Sequence, residues 1–343
     1  MTSTAKQYNY CIDFFKGIDC IFVVFMHCEF PGRLGIAVQA VSRFSVPFFF
    51  MVSGYFCFRP HQEGNSSSDD NRLKIRRKVN HIGKITLYAS LFYIGFVLLS
   101  LLFARNQDLS VTGRSVFNWL VFNEPIKLIA HQYWFLFALL YAYIFYGILE
   151  YFNLRKFAYV LAALMFVAYF ALAQGLHIAG IRIPNFYYRN WLVEAFPFFM
   201  SGHWIHENEG KINVSNVTLI AVIVVFTLLC LIERKMLHRD FGVNFCTIPQ
   251  VFAMFVYGVE NPTRHEGIIQ RLGKDCSMLV YIFHPAVWHS LDGIYKLVGM
   301  SDNMPALYAR PILCLVISIL MALIFNAIVS SVDKRKLQVT KQQ

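Results

Sequence analysis

Runs of about 20 mostly apolar residues recur from one end of this chain to the other, broken only by short polar segments. Such runs match a bilayer core about 30 Å thick, and one soluble core of ordinary composition cannot enclose so many. Composition agrees, with 57% of the 343 residues hydrophobic, 17% aromatic and only 15% charged. The apolar residues do not alternate as the strands of a membrane barrel require, so the chain reads as all-α. We place about ten transmembrane helices, near residues 10–30, 36–58, 81–103, 131–149, 157–176, 191–205, 216–233, 241–259, 276–298 and 306–330. The apolar stretch at 117–129 is interrupted by Asn123, Glu124 and Pro125 and reads as re-entrant or interfacial, with an eleventh span as the alternative. No internal repeat or second soluble domain is evident, so residues 1–343 are expected to form a single membrane domain.

Short loops rich in Lys and Arg stay on the cytoplasmic side of a membrane. The loop at 59–80 holds Arg59, Arg72, Lys74, Arg76, Arg77 and Lys78, the densest basic cluster in the chain, with Lys84 just beyond. Placing it inside puts both termini in the cytoplasm, and Lys334, Arg335 and Lys336 in the tail at 331–343 agree. Arg234, Lys235 and Arg239 then fall outside, against the rule, and their neighbours Glu233 and Asp240 do little to offset them. The net charge of +11 sits in loops flanking apolar helices rather than in one aromatic-studded groove, which argues against a nucleic-acid partner. The eight cysteines occur singly, without a CxxC pair, and read as packing residues rather than a disulfide or zinc framework. The first apolar segment lacks a basic leader and a small-residue cleavage site, so it is expected to remain as a helix.

That first span, YNYCIDFFKGIDCIFVVFMHCEF, is unusually charged. Ionisable residues inside a span are costly, by roughly 2.5–3.5 kcal/mol each on insertion scales, and mark a function or a wet cavity. Asp13 and Lys16 are three apart and can neutralise each other on one helix face. Lys16 and His27 are eleven apart, about three turns, and share that face at different depths. Histidine is the side chain best suited to take a proton from a hydroxyl near neutral pH. The other reading of His27 is an imidazole bonded to a neighbouring helix. In the second span, RFSVPFFFMVSGYF, Arg43 needs an anionic partner or water, and Asp13 or Asp19 can supply an ion pair. The Ser53-Gly54 pair lets a backbone or a ligand approach closely.

Five segments together resemble the successive signatures of the bacterial acyltransferase family 3 membrane proteins. They are DFFKGIDCIFVVFMH in the first helix, RFSVPFFFMVSGYF in the second, YWFLFALL at 133–140, FPFFMSGHWI at 196–205 and LGKDCSMLVYIFHP at 272–285. Each is short, but all five appear in the family's order and cover nearly the whole chain.

The resemblance implies a ten-helix enzyme of a bacterial cytoplasmic membrane that moves acetyl groups from cytosolic acetyl-CoA to carbohydrates or related acceptors outside. By similarity His27 is the catalytic histidine, preceded by a basic residue and ten others. Lys16 stands where many relatives have Arg, and a lysine acts as a point charge rather than a bidentate fork. Acyl transfer from a thioester needs a base, here His27 with Asp13 and Lys16 beneath it, and a donor for the tetrahedral oxyanion, for which Arg43, Ser53 and the Trp134 indole are the candidates. Coenzyme A carries several phosphates, so Arg76, Arg77, Lys78, Lys16 and Ser53 are expected to hold it, although the basic loop also satisfies the orientation rule alone. Trp134, Arg189, Glu194 and His284 are expected on the acceptor side, which Arg182, Tyr187, Tyr188 and Trp191 flank, though Trp and Tyr gather at any membrane interface. His203, His206 and Glu207 offer metal-binding types without a further ligand at useful spacing, so no metal and no permanently bound cofactor are expected. The competing reading is a transporter or flippase that uses the same buried charges as a substrate path, and a sensor or membrane module serving a partner enzyme is a second.

Overall fold

A computed structural model describes residues 8–57, 68–102 and 109–340, and the side chains among these except at 68–70 and 333–340. Arg59, the rest of the basic loop through residue 67, and the side chains of Lys334, Arg335 and Lys336 lie outside the described residues. Helices dominate throughout, and no strand occurs among the described residues.

The helices run in order α1 Tyr10–His27, α2 Gly32–Ser42, α3 Ser45–Tyr55, α4 Ser68–Ser100, α5 Gly113–Phe122, α6 Trp134–Tyr151 and α7 Arg155–Phe170. A π-helical turn at Ala171–Gly175 carries α7 into α8 Leu176–Ile178, and a second at Trp191–Ala195 opens α9 Phe196–Glu207. There follow α10 Asn216–Leu237, α11 Thr247–Glu260, α12 Ile268–Arg271, a third π turn at Leu272–Cys276, α13 Ser277–Leu297 and α14 Met304–Thr340.

Every segment read as a span contains a helix. Six helical rods are long and apolar enough to cross a bilayer: Gly32–Tyr55, Asn71–Ser100, His131–Tyr151, Arg155–Ile178, Asn216–Leu237 and Met304–Val332. The other four segments differ for physical reasons. α1 carries Asp13, Lys16 and Asp19, α9 and α11 have only 12 and 14 residues, and α13 holds His284, His289, Asp292 and Lys296. α5, with ten residues, rises about 15 Å and is too short for an eleventh span. It starts at a Thr112–Ser115 capping box and stops where Asn123 turns left-handed at φ 60. The described part of the basic loop, from residue 68, is not a loop but the start of the 33-residue α4.

The chain divides into two compact units, one from Met1–Ser45 with Asn261–Gln343 and one from Val46–Glu260. In the first, α1 is central and packs on α2, α12, α13 and α14. Two glycines permit its closest crossing: a Cβ on Gly17 would overlap the Ile269 carbonyl oxygen, and one on Gly273 would overlap the Asp13 carbonyl oxygen. Beside this crossing, Lys274 pairs with Glu266 at 2.8 Å and lies over the Tyr8 and Tyr10 rings. The ammonium holds the Glu266 carboxyl below its usual range. In the second unit α3 and α9 meet the same way, Gly54 against the Phe199 carbonyl and Gly202 against the Met51 carbonyl. Small residues of this kind let helix backbones touch where lipid provides no hydrophobic drive.

Candidate active site

His27 is the last residue of α1, half-buried, and its ring stacks on that of His284 with centroids 5.4 Å apart and planes 23° apart. Asn9 starts the helix by accepting the Cys11 amide at 2.9 Å, and His27 stands eleven residues, about 16 Å of helical rise, beyond Lys16. His284 is fully buried on α13 just before Pro285. Its Nδ1 faces the Val280 carbonyl at 3.2 Å, and its Nε2 has no hydrogen-bond partner among the described residues. With the proton on Nδ1 donated to that carbonyl, Nε2 is left as a buried acceptor in a stack with His27.

The charges of α1 point inward. Lys16 Nζ donates to Asp13 Oδ1 at 2.8 Å, the i,i+3 pair expected from the spacing. Asp19 is completely buried, with Lys16 and the Ser45 hydroxyl as the polar groups that act on it. Arg43, at the break between α2 and α3, directs Nη1 to the thioether of Met26, the residue that precedes His27, at 3.1 Å. Hence the first unit gathers His27, His284, Arg43 and the Asp13–Lys16 pair around one helix.

In the second unit Trp134 and Arg189 come together, the guanidinium 4.5 Å above the indole. They line a cavity of about 200 Å³ with Asn123, Glu124, His131 and Asn185. Glu194 does not line it; it is buried on the π turn, facing Gly242. The Trp191 indole donates to the Val121 carbonyl at 3.0 Å, and Asn190 Oδ1 accepts the Leu192 and Val193 amides, so these two fasten the loop. Asn123 and Glu124 entered the sequence reading only as residues that interrupt the 117–129 segment, and His131 did not enter it, because nothing in the neighbouring sequence names Arg189 as their partner. The one available signal was the left-handed turn that an Asn such as Asn123 tolerates.

Of the basic residues, Arg76 and Arg77 are exposed on α4 and Lys78 is half-buried. Arg72 donates to the Tyr151 carbonyl at 3.2 Å and covers the Tyr151 ring. The Ser53 hydroxyl bonds back to the Phe49 carbonyl at 2.9 Å, an intrahelical use of its donor. His203 is buried between two phenols, Tyr146 at 2.7 Å from Nε2 and Tyr159 at 2.6 Å from Nδ1. Both its ring nitrogens are therefore occupied, and no cluster of metal-ligating residues occurs among the described residues. All eight cysteines are free thiols and seven are buried.

A family profile described as an acyltransferase domain matches residues 9–328. No curated protein and no solved structure matches the chain. The match runs through both compact units and includes α1 with His27 and α13 with His284. Its several membrane-spanning rods and this match together mark the chain as a multi-pass membrane acyltransferase, a member of acyltransferase family 3.

Proposed function

We propose that the protein transfers an acetyl group from cytosolic acetyl-CoA to a hydroxyl, or an amine, of a cell-surface carbohydrate or related acceptor outside a bacterial cytoplasmic membrane. The observation that carries this reading is the stacked His27–His284 pair at the end of α1 in a chain of the acyltransferase family. His27 takes the proton of the acceptor hydroxyl as its oxygen attacks the thioester carbonyl carbon. The C–S bond then breaks, the coenzyme A thiolate leaves, and it recovers the proton from His27. Arg43 is the proposed partner of the developing oxyanion, and Asp13 with Lys16 sets the charge of the helix leading to His27.

Coenzyme A phosphates are assigned to Arg76, Arg77 and Lys78, with Lys16 and Ser53 nearer the acyl arm. The exposed guanidiniums of Arg76 and Arg77 support this assignment. For the acceptor, the Trp134 indole capped by Arg189 in the second unit suits a sugar face, and Glu194 and His284 are assigned to it by the family resemblance alone. With both termini inside, this reading turns the end of α1 that carries His27 outward, as an external acceptor requires.

The test is acetyl-CoA cleavage by purified protein in nanodiscs. Wild type is expected to cleave the thioester, and His27→Ala to lose turnover by at least about a hundredfold with its helical content intact. Equal cleavage by the two proteins would overturn the reading.

A further inference from the structure

A second cavity, of about 440 Å³, lies in the first unit and is lined by Glu29, Phe30, Pro31, Ile36, Leu307 and Arg310. It begins two residues after His27, where Gly32 at φ 65 turns the chain from α1 into α2. Only glycine adopts that conformation freely, so the wall is shaped by the sequence itself. Arg310 sits in the apolar rod of α14 and is held by Asp292, with Nη1 to Oδ1 at 2.6 Å. It also lies beside the Cys28 thiol, the residue that follows His27. One turn along α14, Cys314 reaches the His284 carbonyl at 3.7 Å. The cavity wall and the two stacked histidines are thus joined by side-chain contacts within one unit.

An arginine inside an apolar helix marks a functional or solvated position. The charged residues of the lining are Glu29 and Arg310, and Asp292 outside the lining pairs with Arg310, so the cavity offers no net positive charge to hold an anionic ligand. Carboxylates accept from hydroxyls and a guanidinium donates to them, while Phe30 and Pro31 provide an apolar face for ring C–H groups. The volume falls within the range of small-molecule sites.

We propose that this cavity holds a neutral sugar ring of the acceptor, its hydroxyls bridged between Glu29 and Arg310 and one of them presented toward His27. The proposal deepens, and rests on, the acyl-transfer reading of His27.

The experiment uses full-length protein in nanodiscs carrying Ile36→Cys, an exposed wall position, with methyl β-glucoside and methyl β-galactoside as probes. Alkylation of the new thiol is followed by mass spectrometry, and cleavage of acetyl-CoA by wild type is measured in parallel. A glycoside is expected to slow alkylation severalfold, and adding Glu29→Gln or Arg310→Lys is expected to raise the glycoside concentration needed by about tenfold. Absence of protection by either glycoside overturns the proposal, as does protection unchanged by Glu29→Gln, which alters an exposed residue and leaves the fold's ion pair in place. Protection by free serine alone overturns the neutral-sugar class. Protection without acetyl-CoA cleavage would retire the acyl-transfer reading while leaving the sugar site standing.

Discussion

His284 is fully buried, yet one of its ring nitrogens has no hydrogen-bond partner among the described residues. A buried polar atom in that state is costly unless a partner arrives during function, and the His27 ring stacked on it marks where that partner comes from. We expect His284→Ala to lower kcat by about ten- to a hundredfold with little change in the KM for acetyl-CoA, since it leaves the basic residues of α4 untouched. A change confined to KM would place His284 outside the chemistry. Lys16 shows how much local spacing conveys: its pair with Asp13 was legible three residues away, and the structure gives it at 2.8 Å. The stack with His284 was not legible, because His284 lies in the penultimate long helix and nothing in its flanking apolar residues names α1 as its neighbour.

At the scale of elements, close helix crossings rest on four glycines, of which the sequence marked only Gly54, beside Ser53, as a place where a backbone can approach. Gly17 and Gly273 bring α1 against the α12 region, and Gly54 and Gly202 bring α3 against α9. Adding one methyl at Gly273 forces backbone atoms apart, at a cost of about 1–3 kcal/mol. Thermal unfolding in detergent should therefore fall by several degrees for Gly273→Ala and for Gly202→Ala. Gly95→Ala, which meets nothing within 4 Å, should be neutral or stabilising. Equal behaviour of all three would show that these crossings are not tight. Helix α4 carries its own prediction. Arg76 and Arg77 extend the basic face by consecutive residues on an exposed turn, so Arg76→Ala with Arg77→Ala should raise the KM for acetyl-CoA roughly tenfold. The wild-type KM should also rise with ionic strength, while a salt-insensitive KM would remove phosphates from this helix.

For the whole molecule, orientation decides which cavities an outside acceptor can reach. The basic start of α4 argues for an internal position, while Arg234 and Lys235 fall outside against that rule, beside a Glu233 that accepts the Phe245 and Cys246 amides and Gln174. With both termini inside, residue 302 faces outward and residue 211 inward. Cysteine placed by Asp302→Cys should react with an impermeant maleimide added to intact cells, and cysteine placed by Lys211→Cys should react only after lysis. The reverse pattern would invert the topology and turn the cavity at Glu29 and Arg310 toward the cytosol.

Sequence alone determined that this chain is helical and lives in lipid, because hydrophobic run length and composition are local properties that any helical arrangement preserves. It also singled out His27, Lys16 and Arg43, since a charge inside an apolar run stands out without knowledge of its neighbours. The same rule applied to the later spans points equally to Arg310 and Asp292, which the structure joins at 2.6 Å. Which helix meets which was decided only by tertiary structure. The apolar faces of these helices resemble one another in sequence, and the pairings of His27 with His284, Trp134 with Arg189, and His203 with Tyr146 and Tyr159 depend on close packing between segments distant along the chain.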